Sequence, residues 1–267
     1  MKKIDFKKLG VLIILIIIGV LAIFGITKIV QKISGPSKAV REQVEENVEK
    51  YFTYLSVGHT SIFNGIDLLY DKDEVKFEDL NKGTVIETAI QYANEHGKDL
   101  NVDKNIVDEF NKQNNKKGVG YDAKVVGEAI KELFGKEMPI TTYMAEANYL
   151  YDYYYLPDYN MIIKSRSKTQ DISTENNFIS THIIDTKKEK GNLVTTVAVA
   201  YVYTNGTSYS FAADKNGVKI VDGNREKREF PAEKAEEFPK YRFISKKVDD
   251  KYVFERIEKV IEKEDKK

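Results

Sequence analysis

The stretch LVTTVAVAYVYTNG, residues 193–206, decides the fold. Strand alternation puts Leu193, Val197, Val199, Tyr201 and Tyr203 on one face and Val194, Ala198, Ala200 and Val202 on the other. Apolar residues on both faces predict a strand covered on both sides, with the alanines allowing a close neighbour. Asn205-Gly206 closes it, because that pair accepts the positive φ angles of a tight hairpin. A sheet therefore extends outward from this strand.

Before it, residues 178–185 read as a strand entering a turn at 187–191. After it, residues 207–215 form the next strand, and Asn216-Gly217 signals a second tight hairpin into residues 218–221. Residues 241–248 and 252–260 make a terminal hairpin across Asp249-Asp250, with Tyr241, Phe243, Tyr252 and Phe254 sharing a face. Residues 231–238 read as a short helix with proline at its first turn.

Upstream of Pro139 the apolar period is helical. Val40, Val44, Val48, Phe52 and Leu55 form one stripe. Thr84 and Glu87 make a capping box, each side chain satisfying a free amide of the other's end; the helix it opens runs to Gly97. A shorter helix carries Val102, Ile106, Val107 and Phe110, and residues 111–120 read as a loop. Asp122 caps a third helix, whose Val126, Ala129, Ile130, Leu133 and Phe134 face inward and which Gly135 ends. The expected fold class is α+β: a mainly helical segment, residues 40–139, packed on an antiparallel β-meander, residues 140–260.

Ahead of that region lies an uncharged run, residues 9–27, bracketed by Lys8 and Lys28. At 1.5 Å per helical residue it spans roughly 28 Å, close to a bilayer's hydrocarbon thickness. We expect one transmembrane helix over residues 9–31, a cytoplasmic tail at 1–8, a linker at 32–39 ended by Gly35-Pro36, and a charged tail at 261–267. The apolar core is too long for a cleaved signal peptide. Lys2, Lys3, Lys7 and Lys8 favour the tail inside and the domain outside. The bilayer is thus the first expected partner.

Charge excludes one class of partner. Residues 1–37 hold six lysines and one aspartate, which leaves residues 38–267 with a net of −5 from 42 basic and 42 acidic groups overall. Nucleic acid needs a basic face, so none is expected as a ligand. The absence of cysteine removes disulfides, thiol catalysis and thiolate metal sites together. No metal or other cofactor is expected. His59, His96 and His182 lack the paired spacing of a helical zinc site, and an EF-hand counted from Asp71 fails at Lys76 and Lys82. Ser165 and Lys168 have the spacing of a serine–lysine acylating pair, but without a helix to carry it or the partner motif. Asn205, Gly206 and Thr207 match a glycosylation acceptor, which the tight hairpin accounts for better.

The densest aromatic stretch is residues 149–159. Tyr151, Tyr153 and Tyr155 fall on one face of an expected strand there, and such a row could stack on sugar rings or anchor a protein. These three are the candidate binding residues. The basic tail before the anchor, the Lys- and Ile-rich usage and the lack of Cys and Trp resemble the single-pass, membrane-anchored exported proteins of low-G+C Gram-positive bacteria. That resemblance implies a location and no activity. The expected function is a non-catalytic, extracytoplasmic binding or scaffolding module whose partner is a protein or glycan of the envelope. The alternative is an envelope hydrolase with a site assembled from distant residues.

Overall fold

The computed structural model describes residues 36–52, 72–138, 140, 151–166 and 178–261. The expected spanning helix at 9–31 and the tail at 1–8 lie outside them. Among the described residues no helix is long and apolar enough to cross a membrane.

The chain is α+β, with a few helices against antiparallel sheet. Its helices are α1 (Lys38–Asn47), α2 (Lys82–Glu95), α3 (Lys104–Asn114) and α4 (Ala123–Phe134). Its strands are β1 (Glu74–Lys76), β2 (Val119–Asp122), β3 (Tyr151–Leu156), β4 (Met161–Arg166), β5 (Phe178–Glu189), β6 (Asn192–Asn205), β7 (Ser208–Ala212), β8 (Ile220–Arg225), β9 (Lys240–Val248) and β10 (Lys251–Lys259).

β6 is the axis of a seven-stranded sheet. β5 pairs along one edge, from Phe178 opposite Val202 to Glu189 opposite Asn192. The other edge is shared. Leu193 to Ala198 pair with β9, and Tyr201 to Asn205 pair with β7. Between the two halves the Val199 amide donates to Pro239 O at 3.0 Å. β9 leads on to β10 and β1, and β7 leads to β8. The sheet is therefore not the plain meander expected from the strand order. β6 has 14 residues and β7 only 5, so half of its edge is left for β9 to return to.

Burial follows the alternation in β6. Val197 and Val199 enter a large core with the π-helical turn Val48–Phe52 that follows α1, with α2, α4, β9 and β10, while Ala198, Ala200 and Val202 join a separate small cluster on the far face. Both Val199 and Ala200 are fully buried, so the strand is covered on both sides. A three-stranded sheet, in the order β2-β4-β3, completes the architecture.

Capping explains the helix ends. Asp122 Oδ1 accepts from the amides of Lys124 and Val125 at 2.8 and 3.1 Å, and Gly135 takes the left-handed conformation after α4 with φ 63°. α2 begins a turn earlier than the Thr84/Glu87 box predicts. Asn81 is its cap, accepting from the Thr84 amide at 3.1 Å, which leaves Thr84 inside the helix and Glu87 available elsewhere. Two short strands also interrupt the expected helical segment: β1, which joins β10, and β2, which occupies the end of the expected 111–120 loop. Gly206 has the predicted positive φ of 62°, but the two-residue turn is Gly206-Thr207 rather than Asn205-Gly206: Asn205 ends β6, paired with Ser208, without a positive φ. Gly217 does too, at 69°, but within a wider loop gathered by Asp214, whose Oδ1 accepts from Asn216 N at 2.9 Å.

Candidate functional site

The candidate site grows from β3 and its neighbour β4. Their register sets Tyr151 opposite Arg166, Tyr153 opposite Lys164 and Tyr155 opposite Ile162, so all six share a face. The three tyrosines therefore lie together, as alternation requires. Their face turns inward, toward α2. Tyr153 is fully buried, and Tyr151 and Tyr155 are half-buried against the main core. This geometry is not an exposed aromatic platform.

At its centre is Glu87 of α2. Its Oε2 accepts from Tyr153 Oη at 2.7 Å and its Oε1 from Lys164 Nζ at 2.6 Å. The two charged side chains are only 13% and 15% exposed. Lys164 Nζ also stands 4.0 Å from the centre of the Tyr151 ring, a cation–π contact. Tyr121, across β4 from β3, shares this face through its pairing with Ile162. Burial, reinforced by the Glu87 charge, holds the Tyr153 phenol well above its ordinary value, and the same causes raise Tyr121. Both phenols therefore stay protonated at neutral pH, as hydrogen-bond donors rather than bases.

The opposite face of β3 repeats the arrangement. Lys116 Nζ lies 3.2 Å from Asp152 Oδ2, and Tyr154 Oη donates to the same oxygen at 3.3 Å. Phe110 of α3 packs on Tyr154 with ring centres 5.2 Å apart. At the end of α2, Tyr51 Oη donates to Glu95 at 2.7 Å and Tyr92 Oη to Glu132 at 3.0 Å. Burial first, then the bond to Glu132, pushes the Tyr92 phenol up to about 12. Among the described residues tyrosine–carboxylate pairing thus recurs at four places, three of them joining segments distant in the chain and one, Tyr154 with Asp152, joining neighbours on one face of β3.

The other candidates find ordinary places. His96 stacks on Tyr92 with ring centres 4.0 Å apart, and His182 stacks on Phe230 at 5.6 Å. His59 and Lys168 lie outside the described residues, while Ser165 is buried on β4. Among the described residues no group of three or more His, Asp or Glu side chains is arranged to hold a metal ion. A shallow concavity beside β1 and β10 is lined by ion pairs: Glu74 with Lys76, Glu255 with Arg256 and Glu78 with Lys136.

Sequence reasoning missed Glu87 and Lys164 as partners. The available signal was Lys164 itself, a charge directly after the apolar run of residues 161–163 on an expected strand. Compared with known proteins, the chain matches no family model, no curated protein and no solved structure.

Proposed function

We propose that this protein is a single-pass, membrane-anchored module of the cell envelope, with its domain outside, that binds or scaffolds an envelope protein or glycan and performs no chemistry. The observation that carries the non-catalytic half is the state of the carboxylates. A carboxyl group that serves as general acid is characteristically pushed up by burial or by a like charge. Among the described residues those that shift go down: Glu78, Asp79, Glu132, Asp185, Asp214, Asp222 and Glu233. Glu87, the half-hidden exception in position, has both oxygens occupied by Lys164 and Tyr153. The anchored half rests on the uncharged run at 9–27 and the lysines before it.

Two measurements test this reading separately. External protease applied to intact cells should digest the domain; digestion only after lysis would reverse the orientation. Purified full-length protein in detergent, mixed with isolated wall polymer and with envelope protein extract, should sediment with one of them and release no soluble product. Release of sugar or peptide fragments, lost in Glu87→Gln, would replace the binding role with hydrolysis.

A further inference from the structure

The segment between β8 and β9, residues 226–239, crosses the far face of the large sheet. Its centre is a 3-10 turn, Ala232–Glu237, flanked by Phe230 and Phe238. Ala235 and Phe238 are buried against Ala198, Ala200, Val202 and Phe211. Phe230 packs between Phe238, at 5.0 Å, and His182. This cluster is separate from the main core.

Beyond the packing of Phe230, Ala235 and Phe238, what fastens the segment is local and ionic. Lys234 Nζ reaches Asp222 Oδ1 at 3.1 Å and Val221 O at 3.3 Å. Arg225 bridges Asp222 and Glu233 at 2.8 and 3.1 Å. The Arg228 guanidinium lies 3.9 Å from the centre of the Phe178 ring. Backbone bonds at Ala232, Lys234 and Phe238 close on the segment's own carbonyls, at Phe230, Pro231 and Ala235; Pro239 O, at its end, accepts from Val199 N. Lifting the segment therefore breaks one backbone bond to the sheet, from Val199 N to Pro239 O, but no strand ladder, and leaves the main core packed.

We propose that residues 226–239 are a detachable strap, which opens as a unit and uncovers the alanine floor of β6 while the rest of the domain stays folded. Elements with few buried apolar contacts and their own local hydrogen bonds are those that open below global unfolding.

The chain contains no cysteine, so a single introduced thiol reports on one place. Ala200→Cys puts it under the strap and Ala89→Cys puts it in the main core; both positions are fully buried. In the full-length protein without denaturant, a maleimide reagent should label Cys at 200 and spare Cys at 89. Adding Lys234→Met, which removes one ionic fastening, should speed labelling at 200 about two- to fivefold and leave 89 unchanged. Ala198→Cys serves as a second reporter should Ala200→Cys perturb the circular dichroism spectrum. Labelling of both sites only at urea concentrations that unfold the domain, with one common urea dependence, would overturn the strap.

Discussion

Glu87 accepts from two donors at once, and that sets what its removal does. Glu87→Ala leaves Lys164 charged and half-buried with no counter-charge, a loss of about 3–5 kcal/mol. Replacing all three together, Glu87→Leu with Lys164→Met and Tyr153→Phe, should come within about 1.5 kcal/mol of the parent, since apolar side chains of similar volume then meet and no donor has lost Glu87 as its acceptor. Urea unfolding of the two variants separates a structural clamp from a functional charge. Tyr153→Phe, which removes only a hydroxyl, should cost about 1 kcal/mol. Changing Tyr151, Tyr153 and Tyr155 together to Ser should unfold the domain, each buried ring being worth about 3–5 kcal/mol against a total of roughly 5–15. Circular dichroism gives the answer, and a folded triple variant would refute their place in the core. Alternation told correctly which tyrosines lie together. It carries no information on which side the core lies, because the cover is α2, whose Glu87 is 66 positions from Tyr153.

Elements differ in how far local signals reach. β6 was legible end to end, since fourteen residues with apolar side chains on both faces leave little else to be. Val199→Asp should accordingly be severe, lowering stability by about 3 kcal/mol or more through an unpaired buried charge; an unchanged melting temperature would contradict the central strand. β1 and β2 were invisible, being three and four residues long and held by partners far along the chain. The two Asn-Gly pairs look alike in sequence yet sit in different turns. Gly206 stands in open space, whereas the Gly217 amide is tied to Asp214 O at 3.2 Å. Asparagine deamidates when the following amide nitrogen attacks its side-chain carbonyl and ammonia leaves. Asn205 should therefore age faster than Asn216 at neutral pH, as read by mass spectrometry of stored protein. Gly135 and Gly97 offer a similar contrast, with φ of 63° and 64°. Only at Gly135 would a Cβ meet another side chain, Val253 Cγ2 at 2.7 Å. Alanine should cost about 1 kcal/mol from backbone strain at either site and more at Gly135; equal melting temperatures would exclude the steric part.

For the whole molecule, the titrating groups predict a plateau of stability with two flanks. Lys136 holds Glu78 below its usual 4.5, while Lys72, Lys187 and the Lys219 amide do the same for Asp79, Asp185 and Asp214 below 3.8. Their contribution is present above those usual values and is lost as pH falls through the lower folded ones. Tyr92 titrates at about 12 instead of 10.0, and burial raises Tyr51 and Tyr153 as well. Their contribution is complete below 10 and disappears as pH rises toward the folded values. The melting temperature should be level from about pH 5 to about pH 10 and fall on both sides. A level curve continuing past about pH 11 would mean that these phenols are not buried. Charge pairing of this kind was legible only as composition, since the partners come together after folding.

One pairing has a consequence in time. Val75 lies beside Ile257 in the register of β1 and β10, so among the described residues the first strand waits for the last. Closing so long a loop adds little to the equilibrium cost but slows the search for the native topology. A nascent chain emerging amino-terminus first holds its helices ready, yet the sheet they cover stays open at the edge until β9 and β10 have followed. A message truncated before residue 240 would leave Leu193 to Ala198 unpaired along that edge and the main core without Phe243, Phe254 and Ile257. Such a product has an exposed apolar strand edge, and its fate is aggregation or proteolysis rather than a smaller working domain.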